Sequence, residues 1–319
     1  MAIGGRLSVK SDFMERFPAY DEIKDLIQLA RREDLGEPAT LDGDATSRLL
    51  IAENAVGVGT LIQKEVGVAC GLPIVEMICR AYDERLRVEP IPGFHMEIIE
   101  GRFCDARTTP LLRVRGPMRS LLSAERIILN FLQHLSGVAT LTHRFVRRVA
   151  GTDARIYDTR KTLPGMRALE KYAVRCGGGM NHRMGLYDGV LVKDNHLANM
   201  PLKEMAGFLS GVVARSRTED ARRWIEVEVD SLDQLREALK VDDLNLILLD
   251  NMDCPKMAQA VEMRNAAGKK GMVALEASGG VTIETVRPIA LTGVERIAVG
   301  KITHSAPALD IGLDVESQD

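Results

Sequence analysis

From residue 154 onward the chain repeats one unit: a short apolar run, a polar or glycine-rich set, then a stretch with helical spacing. The runs are ARIYD (154–158), GVLVKD (189–194), WIEVEV (224–229), LILLD (246–250), MVALEA (272–277) and RIAVG (296–300). Strands that alternate with helices pair in parallel, because each helix must carry the chain back before the next strand begins. The polar sets stand at the strand ends: Thr159, Arg160 and Lys161; Lys193 and Asp194; Glu228; Asp250 and Asn251; Ser278, Gly279 and Gly280; Gly300. In a parallel β/α barrel all of these open onto one face. A doubly wound open sheet would use mainly one switch point, so six polar strand ends favour the barrel.

The residues before 154 read differently. Ile23, Leu26, Ile27 and Ala30 recur at i, i+3, i+4 and i+7, an amphipathic helix with Asp21 as a cap and Gly36 beyond its end, whose apolar stripe should pack on a sheet. The runs GTLIQ, LRVEP and LLRVRG, with a helical segment around Pro73 to Tyr82, predict a small α+β domain. A long helix follows in LLSAERIILNFLQHLSG, with Ser123 near its start and Gly137 near its end.

Charge is concentrated rather than general. Between Arg155 and Arg183 seven Lys/Arg stand against two Asp/Glu, in a chain of 319 residues with a formal net charge of -3. Such a focus suits a multiply charged small anion and argues against a diffuse nucleic-acid surface. No apolar stretch reaches the roughly 18 to 20 residues of a membrane helix, and MAIGGRLSVKSDF has no leader-like run, so a cytoplasmic location is expected. The five cysteines form no C-x-x-C pair, which fits reduced thiols better than a disulfide frame or zinc site.

Within the cationic block, Arg160 and Lys161 sit at a strand end, and His182 and Arg183 follow the GGGMN loop, where glycines permit close approach. Arginine forks grip carboxylates and phosphates bidentately. Arg167, Lys171 and Arg175 fall at helical spacing and read as helix-surface charge. LEASGGVTIETV has the order strand, Ser-Gly-Gly, helix, which would aim backbone N–H groups and a helix start at a phosphate; Gly300 supplies the second half of that seat. Glu228 and Asp250 among so many cations suit ribose hydroxyls, a developing positive charge or hydrated magnesium, with structural ion pairing as the alternative. Gly57-Val58-Gly59 lacks the third glycine of a dinucleotide fingerprint; no G-x-x-x-x-G-K-[ST] or H-x-x-x-H occurs. The acid-pair loop of open-sheet phosphoribosyltransferases is also missing.

Seven segments together resemble one family, quinolinate phosphoribosyltransferase: EDLGEPATLDGDATS, ERIILNFLQHLSG, the block from Asp158 to His196, IEVEVDSLDQL, LILLDNM, LEASGGVT and ITHSAPALDIGLD. The resemblance implies an α/β fold, an incomplete parallel β/α barrel over 136–304 with an N-terminal α/β sandwich over 1–135 that the last residues, 305–319, rejoin. It implies a homodimer, or a higher oligomer built on it, with shared active sites. Thr159, Arg160, His182, Arg183 and Lys193 would hold quinolinate, with Arg126 reaching in from the neighbouring subunit. Lys161 would contact the pyrophosphate of phosphoribosyl pyrophosphate, Glu228 and Asp250 would face its ribose, and Ser278, Gly279, Gly280, Gly300 and His304 would seat a phosphate. Mg2+ would enter with phosphoribosyl pyrophosphate near Glu228 and Asp250, without direct protein ligands and without an organic cofactor; no nucleic acid or membrane partner is implied. The products would be nicotinate mononucleotide, carbon dioxide and pyrophosphate. Two other readings are a molybdenum-transport-associated relative with another substrate and a silent sensor of phosphoribosyl metabolites. The full dicarboxylate clamp argues against the first, and intact Lys161, Glu228 and Asp250 against the second.

Overall fold

The computed structural model describes residues 17–92 and 99–318. The start of the chain read above for a leader lies outside the described residues. None of the described helices is long and apolar enough to cross a membrane.

The chain divides into two compact units, one of Met1–His143, Leu163–Gly178 and Ser305–Asp319, the other of Arg144–Thr162 and Gly179–His304. In the first, four antiparallel strands lie in the order β12-β1-β5-β3: β1 (Val56–Gln63), β3 (Arg87–Pro90), β5 (Thr109–Pro117) and β12 (Ile311–Gln318). Buried and less buried residues alternate along β1, the period of a strand with one face on a core. Gly57 and Gly59 belong to this strand; a Cβ on them would strike Met118 and Leu313 side chains at 2.4 and 2.8 Å. The C-terminal strand β12 pairs with β1 from Val56↔Gln318 to Gln63↔Ile311. A second, minor pairing joins β2 (Gly67–Val68) and β4 (Phe103–Cys104).

The predicted N-terminal helix spans Tyr20–Leu35 and ends at Gly36 with φ 69, the left-handed turn that favours glycine. Ala19 rather than Asp21 is the N-cap residue; Glu22 Oε1 accepts the Ala19 N–H at 3.0 Å, and Asp21 instead pairs with Lys24 at 2.9 Å. The helix packs chiefly against the helix Leu72–Tyr82 rather than a sheet, with Ile23 and Ile27 buried and the Arg31 guanidinium 5.4 Å from the Tyr82 ring centre.

The long helix is longer than its sequence signals suggest, Met118–Val149. Ser123 lies inside it, donating from Oγ to Asp44 at 2.8 Å, and Gly137 is interior too: a Cβ there would stand 2.1 Å from the Pro307 carbonyl oxygen. Both residues mark close contacts, which look like helix ends in a sequence. The expected boundary at 135/136 therefore falls within one helix. The segment Leu163–Gly178, expected in the barrel, packs in the first unit instead. Its helix Arg167–Cys176 buries Glu170, Lys171 and Tyr172, so Lys171 is no surface charge. Glu170 meets His134 at 2.9 Å, and the Tyr172 hydroxyl donates at 2.7 Å to Glu100. Glu100 is itself buried and also accepts the Gly71 and Leu72 amides at 2.8 and 2.9 Å.

The second unit holds six strands, β6 (Arg155–Tyr157), β7 (Val190–Val192), β8 (Ile225–Val229), β9 (Leu246–Asp250), β10 (Ala274–Ser278) and β11 (Arg296–Ala298). Their order is β6-β11-β10-β9-β8-β7 and every pairing is parallel. First and last strands in sequence are neighbours, as in a closed barrel, but β6 and β7 do not pair, so the barrel is incomplete and has one open seam. Residues 180–182 run along its β6 side. The Met180 N–H donates to Ile156 O at 2.8 Å, the Asp158 N–H to Met180 O at 3.1 Å, and the His182 N–H to the Asp158 carboxylate at 2.8 Å.

Candidate active site

Because the six strands are parallel, their C-terminal residues emerge at one edge of the sheet, and most of the expected residues meet there in small groups. A Cβ added to Gly300 would lie 3.0 Å from the Lys161 side chain and 3.4 Å from both His304 Nε2 and Thr159 Oγ1, so these four residues share one corner. Thr159 Oγ1 accepts the Lys161 N–H at 3.0 Å, and Thr303 Oγ1 donates to the Lys161 carbonyl at 2.7 Å. The loop is thus fixed while the Lys161 ammonium stays exposed.

At the next corner, Asp250 ends β9 and Ser278 ends the adjacent β10, in direct register. Asn251, at φ 52, donates from its N–H to Ser278 O at 2.9 Å and from Nδ2 to Asp250 at 2.9 Å. Gly279 (φ +98) and Gly280 (φ +60) follow; a Cβ on Gly279 would stand 2.1 Å from Asn251 Oδ1, whereas nothing lies within 4 Å of one on Gly280. Here glycine is required twice over, by left-handed backbone and by contact. The helix expected directly after Ser-Gly-Gly starts only at Val286 and has five residues. The exposed loop, not a helix start, forms this corner, because Thr282 and Thr285 turn the chain on each other first, the Thr282 N–H donating to Thr285 Oγ1 at 2.9 Å. On β8, Glu228 is half-buried and 3.5 Å from Lys193 Nζ beyond β7.

The remaining cations lie at the seam. Arg183 is 7% exposed and donates from Nη1 to Gly189 O at 2.9 Å. Burial first, and then the nearby Arg160 guanidinium, push its pKa down from the ordinary arginine value. A buried guanidinium in the field of another cation is stabilised by anionic neighbours.

His182 does something the sequence did not announce. Its Nδ1 accepts the Arg183 N–H at 2.8 Å, its ring stands edge-on to Trp224 with centroids 5.2 Å apart, and its Nε2 lies 3.1 Å from Glu226 and 3.4 Å from Glu276. Glu276 in turn meets Arg296 Nε at 2.5 Å, and the Arg296 guanidinium stacks 3.6 Å over the Tyr157 ring. Burial and then the Glu276 charge raise the Glu226 carboxyl, while His182 and Arg296 hold Glu276 down against its own burial. Burial opposes charge on His182, but the two carboxylates push its pKa up to about 9. On its other side the ring offers Nδ1 to the Arg183 main-chain N–H, so both ring nitrogens face protein groups. Asp158, Glu226, Glu276 and Arg296 were missed by sequence reasoning, which had placed Asn251 at a strand end without giving it a role. The inward period of two in IEVEV, which puts Glu226 on the face of Glu228, was the one usable signal.

A hollow of about 510 Å³ beside β7 is lined by Arg183, Leu186, Tyr187, Val192, Phe208 and Val212 among others. Of the expected site residues it contains only Arg183. Arg126 is exposed on the helix Met118–Val149 in the first unit.

Residues 44–136 match the N-terminal domain, and 138–314 the C-terminal domain, of quinolinate phosphoribosyl transferase. A nicotinate-nucleotide pyrophosphorylase [carboxylating] of Mycobacterium leprae is 40% identical over 93% of this chain and 98% of its own length. A quinolinate phosphoribosyltransferase [decarboxylating] of Nicotiana glauca is 36% identical over 94% of this chain and 84% of its own. The solved structure of the nicotinate-nucleotide pyrophosphorylase from Francisella tularensis superposes with a TM-score of 0.80 at 33% identity, covering 94% of this chain and 98% of that one. The cationic seam, the glycine corner and the open six-stranded barrel therefore belong to a member of the quinolinate phosphoribosyltransferase family.

Proposed function

We propose that the chain transfers the phosphoribosyl group of phosphoribosyl pyrophosphate to quinolinate and releases carbon dioxide, giving nicotinate mononucleotide and pyrophosphate in NAD biosynthesis. The observation that supports this reading is the gathering of Lys161, Gly300 and His304 in one corner, Asp250, Ser278 and Gly279 in the next, and buried Arg183 at the seam. Thr159, Arg160, His182, Arg183 and Lys193 receive the dicarboxylate, and Arg126 of a second copy completes the site in a homodimer. Lys161 meets the pyrophosphate, and the corner of Ser278, Gly279, Gly280, Gly300 and His304 receives a phosphate.

The pyridine nitrogen attacks the anomeric carbon as the bond to pyrophosphate breaks, and the ribosyl centre gains positive charge on the way. Glu228 and Asp250, at the ends of neighbouring strands, stabilise that charge, while Lys161 stabilises the charge on the departing oxygen. Once alkylated, the ring nitrogen accepts the electron pair left at C2 when carbon dioxide leaves, so the substrate is its own electron sink and no side chain need form a covalent intermediate. Half-buried Glu228 and Asp250 also suit the hydration shell of magnesium arriving with phosphoribosyl pyrophosphate, where it would offset phosphate charge. The proposed workplace is the cytoplasm.

The test is incubation with quinolinate, phosphoribosyl pyrophosphate and magnesium, with nicotinate mononucleotide and carbon dioxide as readouts. Nicotinate in place of quinolinate should react poorly, because one missing carboxylate removes a charge-assisted contact of the cationic clamp, at a cost of about 2 to 5 kcal/mol where that contact is to buried Arg183. Comparable turnover of the two would overturn the assignment of Arg160 and Arg183.

A further inference from the structure

Asn251 is one of five non-glycine residues at positive φ among the described residues, and it directly follows the C-terminal end of barrel strand β9. Its φ of 52 is a conformation that glycine adopts freely and that residues with a Cβ avoid. Such an outlier at a site calls for an account of what its side chain does. Successive side chains of a strand point to opposite faces, so Asp250 and residue 251 would not meet if β9 ran straight on. The left-handed turn brings them together: Asn251 Nδ2 donates to Asp250 Oδ2 at 2.9 Å. The Asn251 main-chain N–H donates to Ser278 O at 2.9 Å, and its Oδ1 lies 2.1 Å from where a Gly279 Cβ would be. The missing side chain of Gly279 is thus the room that the Asn251 amide fills.

The two acids of the mouth are held differently. Glu228 has the Lys193 ammonium 3.5 Å away, whereas Asp250 forms no ion pair among the described residues and takes its side-chain hydrogen bond from Asn251. Without that bond the Asp250 carboxylate is free to turn about its two side-chain torsions. Resting on the assignment of Asp250 to the ribosyl centre and of Ser278, Gly279 and Gly280 to a phosphate, we propose that Asn251 is a positioning residue for phosphoribosyl transfer. Its amide holds Asp250 Oδ2, leaves Oδ1 for the ribosyl carbon, and lies against Gly279, so that one side chain sets the spacing between the acid and the phosphate corner. The transferred group is held at its phosphate while charge grows at its anomeric carbon, so this spacing counts most in the transition state. Fixing it in the fold meets the cost of ordering before the substrate arrives.

The experiment is steady-state kinetics of Asn251→Gly and Asn251→Asp in the full chain, varying quinolinate and phosphoribosyl pyrophosphate separately. Glycine accepts φ 52 without strain and keeps the N–H that bonds Ser278, but it deletes the amide. Aspartate keeps the shape, has no N–H to give, and sets a second negative charge beside Asp250. Both variants should lower kcat/KM for phosphoribosyl pyrophosphate by about tenfold or more, the worth of a hydrogen bond to a charged group, with KM for quinolinate within about threefold of the parent. A role confined to backbone geometry predicts the opposite for glycine, which suits the left-handed turn better than asparagine does. Asn251→Gly within about threefold of the parent in kcat/KM for phosphoribosyl pyrophosphate, or equal losses for the two substrates, would overturn the proposal.

Should the aspartate variant not fold, the glycine variant carries the kinetic test alone, because it relieves backbone strain instead of adding to it. Crystal structures of the parent and of Asn251→Gly supply a readout that needs no turnover. In the parent, Asp250 should keep one rotamer with Oδ2 on Asn251 Nδ2; in the variant it should leave that rotamer or occupy several, with the residue 251 N–H still on Ser278 O. An Asp250 carboxylate that stays in place without the amide would overturn the proposal. A parent protein inactive on quinolinate and phosphoribosyl pyrophosphate would refute the substrate reading, while the two crystal structures still judged the hold of Asn251 on Asp250.

Discussion

Gly279 carries more constraint than its size suggests. At φ +98 its backbone is in the region that side chains avoid, and a Cβ would lie 2.1 Å from Asn251 Oδ1, on a residue itself at φ 52 and bonded to Asp250 and Ser278. Gly279→Ala should therefore cost about 1 to 3 kcal/mol of stability and displace Asn251. If the corner receives a phosphate, the variant should also raise KM for phosphoribosyl pyrophosphate more than KM for quinolinate, which separate titrations of the two substrates would show. Equal effects would place the phosphate elsewhere. Gly280 offers the internal control, since its left-handed φ of +60 is strained by alanine but no atom stands within 4 Å.

Among the elements, the helix Met118–Val149 organises the first unit through contacts at definite points. Gly137 lets the chain at Pro307 pass over it, the Pro307 carbonyl being 2.1 Å from where a Cβ would sit. Backbone cannot yield as a side-chain tip can, so Gly137→Ala should destabilise the first unit by about 1 to 3 kcal/mol, read as a lower melting temperature. Further along, the Ser120 hydroxyl donates at 2.6 Å to Asp83, the residue that ends the helix Leu72–Tyr82. The Arg85 guanidinium, over the opposing effect of burial and with help from Ser120, holds the Asp83 carboxyl down at about 2. A folded value below the unfolded one, about 3.9, means the stabilisation is present above pH ~4 and lost as pH falls toward 2. Thermal melts across that window should show Asp83→Asn as less stable at neutral pH by about 1 to 2 kcal/mol, with a shallower acid decline than the parent. A parallel decline in both would exclude Asp83 as the cause.

For the whole molecule, the expected homodimer makes the strongest claim. Arg126 belongs to the first unit and Lys161 to the second. If Arg126 serves a partner's barrel, neither Arg126→Ala nor Lys161→Ala should be active alone, and co-refolding the two should restore activity. Random pairing gives about half heterodimers, each with one intact site under two-fold symmetry, hence roughly a quarter of the parent activity. Mixed dimers confirmed by mass spectrometry but no more active than the separate variants would show that Arg126 does not act in trans.

The sequence by itself determined the local pattern: six apolar runs with polar ends, the glycines of the Ser-Gly-Gly corner, and the cations from Arg160 to Arg183. These are legible because strand period, left-handed turns and charge density are properties of neighbouring residues. Tertiary structure alone decided what depends on residues far apart in the chain. It put helix Arg167–Cys176 with the first unit, because Tyr172 finds buried Glu100 there at 2.7 Å. It made Gly137 a crossing point rather than a helix end, and left the barrel open between β6 and β7. It also set His182 against Glu226 and Glu276, residues 44 and 94 positions away in sequence, at 3.1 and 3.4 Å. No local rule relates those three; they meet because strands β8 and β10 turn their glutamates into the same barrel interior, where a buried charge must find a partner.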